Sequence, residues 1–130
     1  MRKSIVVFLS FLVALTVADL TAEEAGKQFA KSLLKYAKNH NISIFDKDFY
    51  YEDKANTNNP GKDLVVKMLM ATWSIMKDET VWTEGSTYAF TDDGLLRINL
   101  FVDNKLTSYF LCKPNKDVEG GYKLFALIYV

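Results

Sequence analysis

The feature that most constrains the fold of this chain is a change in hydrophobic period at Thr80. From Thr80 to the last residue, apolar and polar residues alternate in runs that turn signals separate. Because successive side chains of a strand point to opposite faces, this period of two predicts strands. The predicted strands cover residues 81–90, 95–102, 106–114 and 122–130. The turn signals between them favour a four-stranded antiparallel meander.

The first two connections predict the register of this meander. Residues 92–94 and 103–105 each predict a three-residue hairpin loop, with Gly94 and Lys105 in the left-handed position. The facing pairs that follow are Tyr88 with Ile98, Phe90 with Leu96, Ile98 with Phe110, and Leu96 with Cys112. This register gathers apolar residues on one face, and a shift by one residue would move them to the other. On that core face Cys112 is predicted to be a buried, reduced thiol.

The opposite face of the predicted sheet is too apolar to meet only water. It would carry Arg97, Asn99, Phe101, Tyr109, Leu111, Phe125, Leu127 and Tyr129. Monomers rarely leave large contiguous apolar patches uncovered, so we predict a homodimer through this face. Its contact residues would be Phe101, Tyr109, Phe125, Leu127 and Tyr129. The alternative is a monomer whose strongly bent sheet tucks some of these side chains against the first helix.

Two helices and a strand are predicted ahead of the meander. Residues 21–24 fit a capping box, and apolar residues recur every three or four positions behind it. Residues 42–52 are rich in strand-prone residues. A second helix is predicted from Pro60 to about Lys77. Its apolar residues surround most of its circumference, so we expect it to be buried on more than one side.

The start of the chain predicts export. Basic Arg2 and Lys3 precede an apolar run over residues 5–17 and small residues ahead of Asp19, which is typical of a signal peptide. We therefore predict a signal peptide over residues 1–18 and one secreted, extracellular domain over residues 19–130. The apolar run is shorter than the roughly 20 residues that a membrane helix needs, so no membrane attachment is expected after cleavage.

Composition narrows the expected partners. The single cysteine excludes an internal disulfide, so the core must hold the domain together. Neither charge sign forms a long block, and nucleic acid is not an expected partner. The sequon Asn41-Ile42-Ser43 predicts a glycoprotein in a eukaryotic host. The carboxylates at positions 46, 48, 52 and 53 lack the spacing of a calcium loop, and we expect no metal and no cofactor.

The order of the predicted elements resembles the nuclear transport factor 2-like fold of the cystatin-like superfamily. Two segments are similar to those of small secreted members found in nematodes, namely Lys62-Asp63-Leu64-Val65-Val66 in the second helix and Phe90-Thr91-Asp92-Asp93-Gly94 in the meander. The resemblance spans roughly residues 22–130. It implies an α+β fold in which helices pack in the concave face of a bent antiparallel sheet, as in a cone.

The resemblance leaves the function open, because this fold serves many functions. The family includes steroid isomerases, dehydratases, dimerisation modules, transport adaptors and small-molecule binders. The aspartate base and oxyanion hole of the isomerases do not align with residues here, and the dehydratases need histidine and aspartate together, whereas this chain has only His40. The cystatins are the rival fold, but residues 81–85 lack the glutamine and valine of their inhibitory Gln-x-Val-x-Gly hairpin.

Three functional hypotheses follow. The first is a non-catalytic protein that binds a small apolar ligand in the cone, with a pocket lined by Tyr36, Trp73, Trp82 and Tyr88. These rings could instead fill the core. The second is a structural or interaction module that acts through the homodimer. The third is an isomerase-like or dehydratase-like enzyme, for which the sequence offers only scattered Asp and Tyr side chains.

Overall fold

The structure is a computed structural model that describes residues 20–56 and 58–130. The predicted signal peptide, residues 1–18, lies outside the described residues. The helices are α1 (Ala22–Lys38), α2 (Lys62–Ser74) and the single turn α3 (Thr80–Thr83). The strands are β1 (Phe45–Asp53), β2 (Thr87–Phe90), β3 (Leu96–Val102), β4 (Lys105–Pro114) and β5 (Tyr122–Tyr129). A 3-10 turn, Ile42–Ile44, leads into β1.

The strands form one five-stranded mixed sheet in the order β1-β5-β4-β3-β2. Strands β2 to β5 are antiparallel neighbours, so the predicted meander and the α+β class are confirmed. Strand β1 pairs in parallel with β5, a pairing that the sequence did not indicate. Helix α1 packs against β2 and β3, and α2 packs against α1. The predicted facing pairs are all present: Tyr88 with Ile98, Phe90 with Leu96, Ile98 with Phe110, and Leu96 with Cys112.

Helix α1 begins with the predicted capping box. Thr21 Oγ1 accepts a hydrogen bond from the Glu24 amide at 3.1 Å, and Glu24 Oε1 accepts one from the Thr21 amide at 3.2 Å. The apolar stripe of α1 lies in the core, with Phe29 and Leu33 fully buried. Cys112 is a buried thiol of the same core, as predicted, and burial raises its pKa well above the ordinary value.

The β3–β4 hairpin has the predicted register but a different turn from the predicted three-residue loop. The turn has two residues, Asp103 and Asn104, which adopt φ values of 51° and 62°. Lys105 is the first residue of β4 and pairs with Val102, so its predicted left-handed position is wrong. A bulge beside Leu100 then restores the register, because the extra residue in β4 compensates for the shorter turn.

The first strand of the meander is shorter than predicted. Residues 80–83 form α3 instead of strand, and β2 begins only at Thr87, after a turn in which Gly85 has a φ of 77°. The helical turn places the Trp82 ring against the rings of Trp73 and Phe110 in the core. Burial of this large ring accounts for the preference for a helical turn over a longer edge strand.

A bulge in β5 changes which residues share the outer face of the sheet, the face opposite α1. Cys112 pairs with Leu124 but Leu111 pairs with Ala126, so Phe125 is the extra residue. Leu127, which is 2% exposed, and Tyr129 therefore lie on the inner face, which contradicts their predicted place on the outer one. The predicted contact residues that remain on the outer face are Phe101, Tyr109 and Phe125.

Side chains of the outer face partly cover one another. The Tyr50 ring meets the Phe125 ring edge-on at 5.6 Å, and the Arg97 guanidinium lies 3.7 Å from the centre of the Tyr109 ring. Ile128, opposite Tyr109 on this face, is buried. The exposed apolar area of the outer face is therefore smaller than the sequence suggested.

Helix α2 is buried on one side only, which corrects the prediction that it is buried on several. It ends at Ser74, before the predicted end at Lys77. Its buried residues are Val65, Met70 and Trp73. The exposed fractions of other apolar residues on or next to α2 are 53% for Leu64, 57% for Met68 and 85% for Ile75. Because α1 and the sheet cover only one side, the remaining apolar surface of α2 meets solvent.

Candidate functional site

The predicted pocket residues Trp73 and Trp82 fill the core. Their rings meet edge-on at 5.6 Å, and both are buried. Phe110 contacts both rings, at centroid distances of 6.2 Å to Trp73 and 6.5 Å to Trp82. Edge-to-face packing at these distances leaves no room for a ligand between the rings.

The other two predicted pocket residues lie apart from each other, Tyr36 on α1 and Tyr88 on β2. The Tyr88 ring covers Gly26, where a Cβ atom would come within 2.2 Å of the ring, and burial raises the pKa of the Tyr88 phenol. The Tyr36 hydroxyl accepts a hydrogen bond from the Glu119 amide at 3.1 Å and so ties the β4–β5 loop to α1. Among residues 20–56 and 58–130, the four predicted residues therefore occupy three separate places: the core, the contact with Gly26 and the contact with the β4–β5 loop.

A different cavity, a groove of about 860 Å³, lies beside α2. One flank of α2 forms one wall, and the start of β1 with the α1–β1 connection forms the other. Its volume falls within the range of about 300–1,000 Å³ that is typical of small-molecule sites. None of the four predicted pocket residues lines it. The apolar lining residues are Ile42, Phe45, Val66, Met70, Ala71 and Ile75.

The end of α1 positions the upper wall of the groove. The amides of His40 and Asn41 donate to the carbonyls of Ala37 and Tyr36 at 3.0 and 2.9 Å, and His40 has a φ of 54°. This is the Schellman arrangement that ends a helix and turns the chain sharply. The turn brings His40 and Ile42 to the groove.

The other end of this wall is the start of β1, where the pairing with β5 is interrupted by a wide bulge. Phe45 pairs with Leu124 and Tyr50 with Ala126, so β1 has four intervening residues where β5 has one. Within them, the buried Asp46 accepts a hydrogen bond from the Asp48 amide at 2.9 Å and stabilises the turn. Lys47 in this turn lines the groove. The widened strand therefore supplies a charged group next to an apolar surface.

The floor of the groove is continuous with the core. Phe45 stacks on Trp73 with centroids 5.9 Å apart and an interplanar angle of 15°, and its ring also meets Phe49 at 4.9 Å. Met70 is likewise buried on the α2 side. At the mouth, by contrast, Ile42 is 65% exposed. A ligand would therefore meet a closely packed apolar floor and an apolar rim in contact with water.

Charged side chains border this apolar surface. Three are lysines, Lys47, Lys62 and Lys67, and two are aspartates, Asp46 and Asp63. The Lys62 ammonium donates to the Lys47 carbonyl. The two ion pairs found among residues 20–56 and 58–130 lie elsewhere, between Lys27 and Glu23 and between Lys35 and Glu119. The Lys47 and Lys67 ammonium groups are therefore available to a negatively charged group.

The sequence contained one signal for this groove that our prediction misread. The apolar residues around α2 exceed what one packed face can bury, and part of this surplus lines a groove instead of indicating burial on several sides. In the part of the chain that the structure describes, no cluster of three His, Cys, Asp or Glu side chains is arranged to hold a metal ion. Of the helices within the same residues, none is long and apolar enough to cross a membrane.

Comparison with known proteins does not identify a family for this chain. No protein-family model matches the chain, and neither a curated protein nor a solved structure matches it.

Proposed function

We propose that this protein binds a small amphipathic ligand, with an apolar body and an anionic end, in the groove beside α2. The groove itself carries the proposal: a cavity of about 860 Å³ with a buried aromatic floor. Binding would remove the exposed side chains of Ile42 and Ile75 from water. Each Å² of apolar surface so covered contributes about 25 cal/mol. The proposal keeps the expected non-catalytic function but moves the site from the Trp73–Trp82 region to α2.

Charge at the rim supports the anionic end. Lys47 and Lys67 approach the groove from opposite walls, one from β1 and one from α2. The Asp46 carboxylate is already bonded to the backbone of its own turn. A carboxylate or similar group on the ligand would form charge-assisted hydrogen bonds with the two ammonium groups. An uncharged analogue of the same ligand should therefore bind less tightly.

The proposal also retains export and the nuclear transport factor 2-like cone. The helix–strand–helix order ahead of the antiparallel meander supports that fold. Intact-mass analysis of the secreted protein tests export, because cleavage after Ala18 would leave Asp19 as the first residue. Secreted material that retains residues 1–18 would contradict it.

A fluorescent fatty acid, 11-(dansylamino)undecanoic acid, tests the ligand class directly. We expect saturable binding that oleate displaces more effectively than oleyl alcohol. Val66→Glu places a charge in the apolar lining and should weaken binding at least about tenfold. Leu64→Glu is the matched control, because Leu64 lies on the same helix but does not line the groove. Absent binding, or equal losses in the two variants, would overturn the proposal.

A homodimer through the outer face of the sheet is the second candidate. It is supported by Phe101 and Tyr50, which are both exposed on that face. The dimer contact would consist of Tyr50, Phe101, Tyr109 and Phe125, without Leu127 and Tyr129. Sedimentation equilibrium at micromolar concentration tests it, with Phe101→Glu expected to dissociate the dimer. A wild-type protein that stays monomeric over this range would contradict it.

A further inference from the structure

The sequon Asn41-Ile42-Ser43 adjoins the groove, because its middle residue, Ile42, lines the mouth. Its first residue follows the Schellman turn that ends α1, and the side chain of Asn41 is exposed. The residues on either side, His40 and Ile42, both line the groove. Any group attached to Asn41 is therefore held one residue from the exposed apolar rim.

Hydrogen bonds within the sequon also orient the side-chain amide of Asn41, whose nitrogen would carry a glycan. Asn41 Oδ1 accepts hydrogen bonds from the Ser43 amide at 3.1 Å and from Ser43 Oγ at 2.7 Å. Because the Ser43 amide can only donate, the atom facing it must be the oxygen of the Asn41 amide. The Nδ2 atom makes no hydrogen bond to the residues that the structure describes.

We propose that Asn41 carries an N-linked glycan that stands over the mouth of the groove and limits which molecules enter it. The effect of the glycan on ligand entry rests on the proposed function, and its attachment requires that the protein is exported. In the secretory pathway, a bond forms between Asn41 Nδ2 and the anomeric carbon of an oligosaccharide carried on a polyprenyl diphosphate. The bond between that carbon and the phosphate oxygen breaks, the amide loses a proton, and the lipid diphosphate leaves.

The glycan has two physical effects at this position. Its bulk narrows the approach to Ile42 and Ile75, the exposed apolar side chains of the rim. It also keeps these side chains from contacts with other proteins, because a solvated sugar chain lies in front of them. The glycosylated protein should admit slender ligands and exclude bulky ones, whereas the unmodified protein should admit both.

The first experiment measures occupancy. The full chain is secreted from eukaryotic cells, and its intact mass is compared with that of Ser43→Ala, which removes the sequon, and Ser43→Thr, which keeps it. We expect a glycan on the wild type and on Ser43→Thr only, with peptide mapping locating it at Asn41. An unmodified wild-type protein from such a host would overturn the proposal and would leave ligand binding in the groove untouched.

The second experiment measures access without using a ligand. Ile75→Cys introduces a thiol on the groove rim, and Leu64→Cys introduces one on α2 outside the groove. Each variant is treated with a polyethylene-glycol maleimide before and after enzymatic trimming of the glycan to its first sugar. Trimming should speed the reaction of Ile75→Cys at least about threefold and leave Leu64→Cys unchanged, because only the former lies under the sugar chain.

Equal reaction rates of Ile75→Cys before and after trimming would overturn the control of access. Failure of the fluorescent fatty acid to bind the trimmed protein would instead count against the proposed ligand while leaving the glycan in place. The two proposals therefore fail in different measurements.

Discussion

Helix α1 carries one apolar stripe and α2 is apolar around most of its circumference, and the structure uses the two helices differently. α1 buries Phe29 and Leu33 in the core, and charged side chains occupy its exposed side. α2 buries fewer residues and leaves Leu64 and Met68 exposed, while its flank forms the wall of a groove. The difference shows that α2 carries more apolar residues than the core buries: part of the surplus, such as Val66, lines the groove, and part, such as Leu64, does not.

The largest test of this comparison is truncation of one apolar residue on each helix. Phe29→Ala should lower the free energy of unfolding by about 3–5 kcal/mol, because Phe29 is fully buried and its ring meets Phe110 at 6.4 Å. Leu64→Ala should change it by less than about 0.5 kcal/mol, since Leu64 already contacts water. Urea unfolding measures both, and similar losses would contradict the assigned difference between the helices.

Added methyl groups give a second contrast. Gly26→Ala brings Cβ within 2.2 Å of the Tyr88 ring. The strain should exceed the gain in helix propensity and cost about 1–2 kcal/mol net. Gly61→Ala at the start of α2 meets no atom within 4 Å and is the control. Thermal unfolding compares the two; a stabilised Gly26→Ala would show that Tyr88 moves aside without cost.

Alkaline pH probes the core under α1. Burial raises the pKa of the Cys112 thiol above its ordinary value of 9.0, so the unfolded chain loses this proton first as the pH rises. The contribution of Cys112 to the free energy of unfolding is therefore fully present below pH 9.0, and above it falls by up to about 1.4 kcal/mol per pH unit until the folded thiol also loses its proton.

Cys112→Ala, although less stable near neutral pH, should show a smaller alkaline decline in urea unfolding. Rapid labelling of Cys112 in the native protein by iodoacetamide would contradict the assigned burial.

The smallest expected effects concern the helix starts. Thr21→Ala removes the hydrogen bond that Thr21 Oγ1 accepts from the Glu24 amide, although the amide of residue 21 can still donate to Glu24 Oε1, and it should cost about 1 kcal/mol. Gly61, the N-cap of α2, makes no side-chain cap bond, and Gly61→Ser should add a few tenths of a kcal/mol. Circular dichroism at increasing urea concentrations measures both changes. A gain at Gly61 as large as the loss at Thr21 would indicate that α2 contributes more to stability than its burial suggests.

The meander shows how far local patterns reach. Its facing pairs, Tyr88 with Ile98 and Ile98 with Phe110 among them, follow from alternation and hairpin turns close in sequence. The conformation of the β3–β4 connection was less predictable, since a two-residue turn and a bulge replace the expected three-residue loop at Lys105. Several combinations of turn and bulge give the same register, and the apolar alternation does not distinguish between them.

The sequence by itself determined the capped helix α1, the antiparallel order of β2 to β5 and the burial of Cys112, because each depends on neighbours close along the chain. Only the tertiary structure decided the bulge at Phe125, the parallel addition of β1 and the side of α2 left exposed. These depend on how strands and helices distant in sequence fit together. The groove arises from that fit: α1 and the sheet cover one side of α2, and the widened start of β1 faces the other.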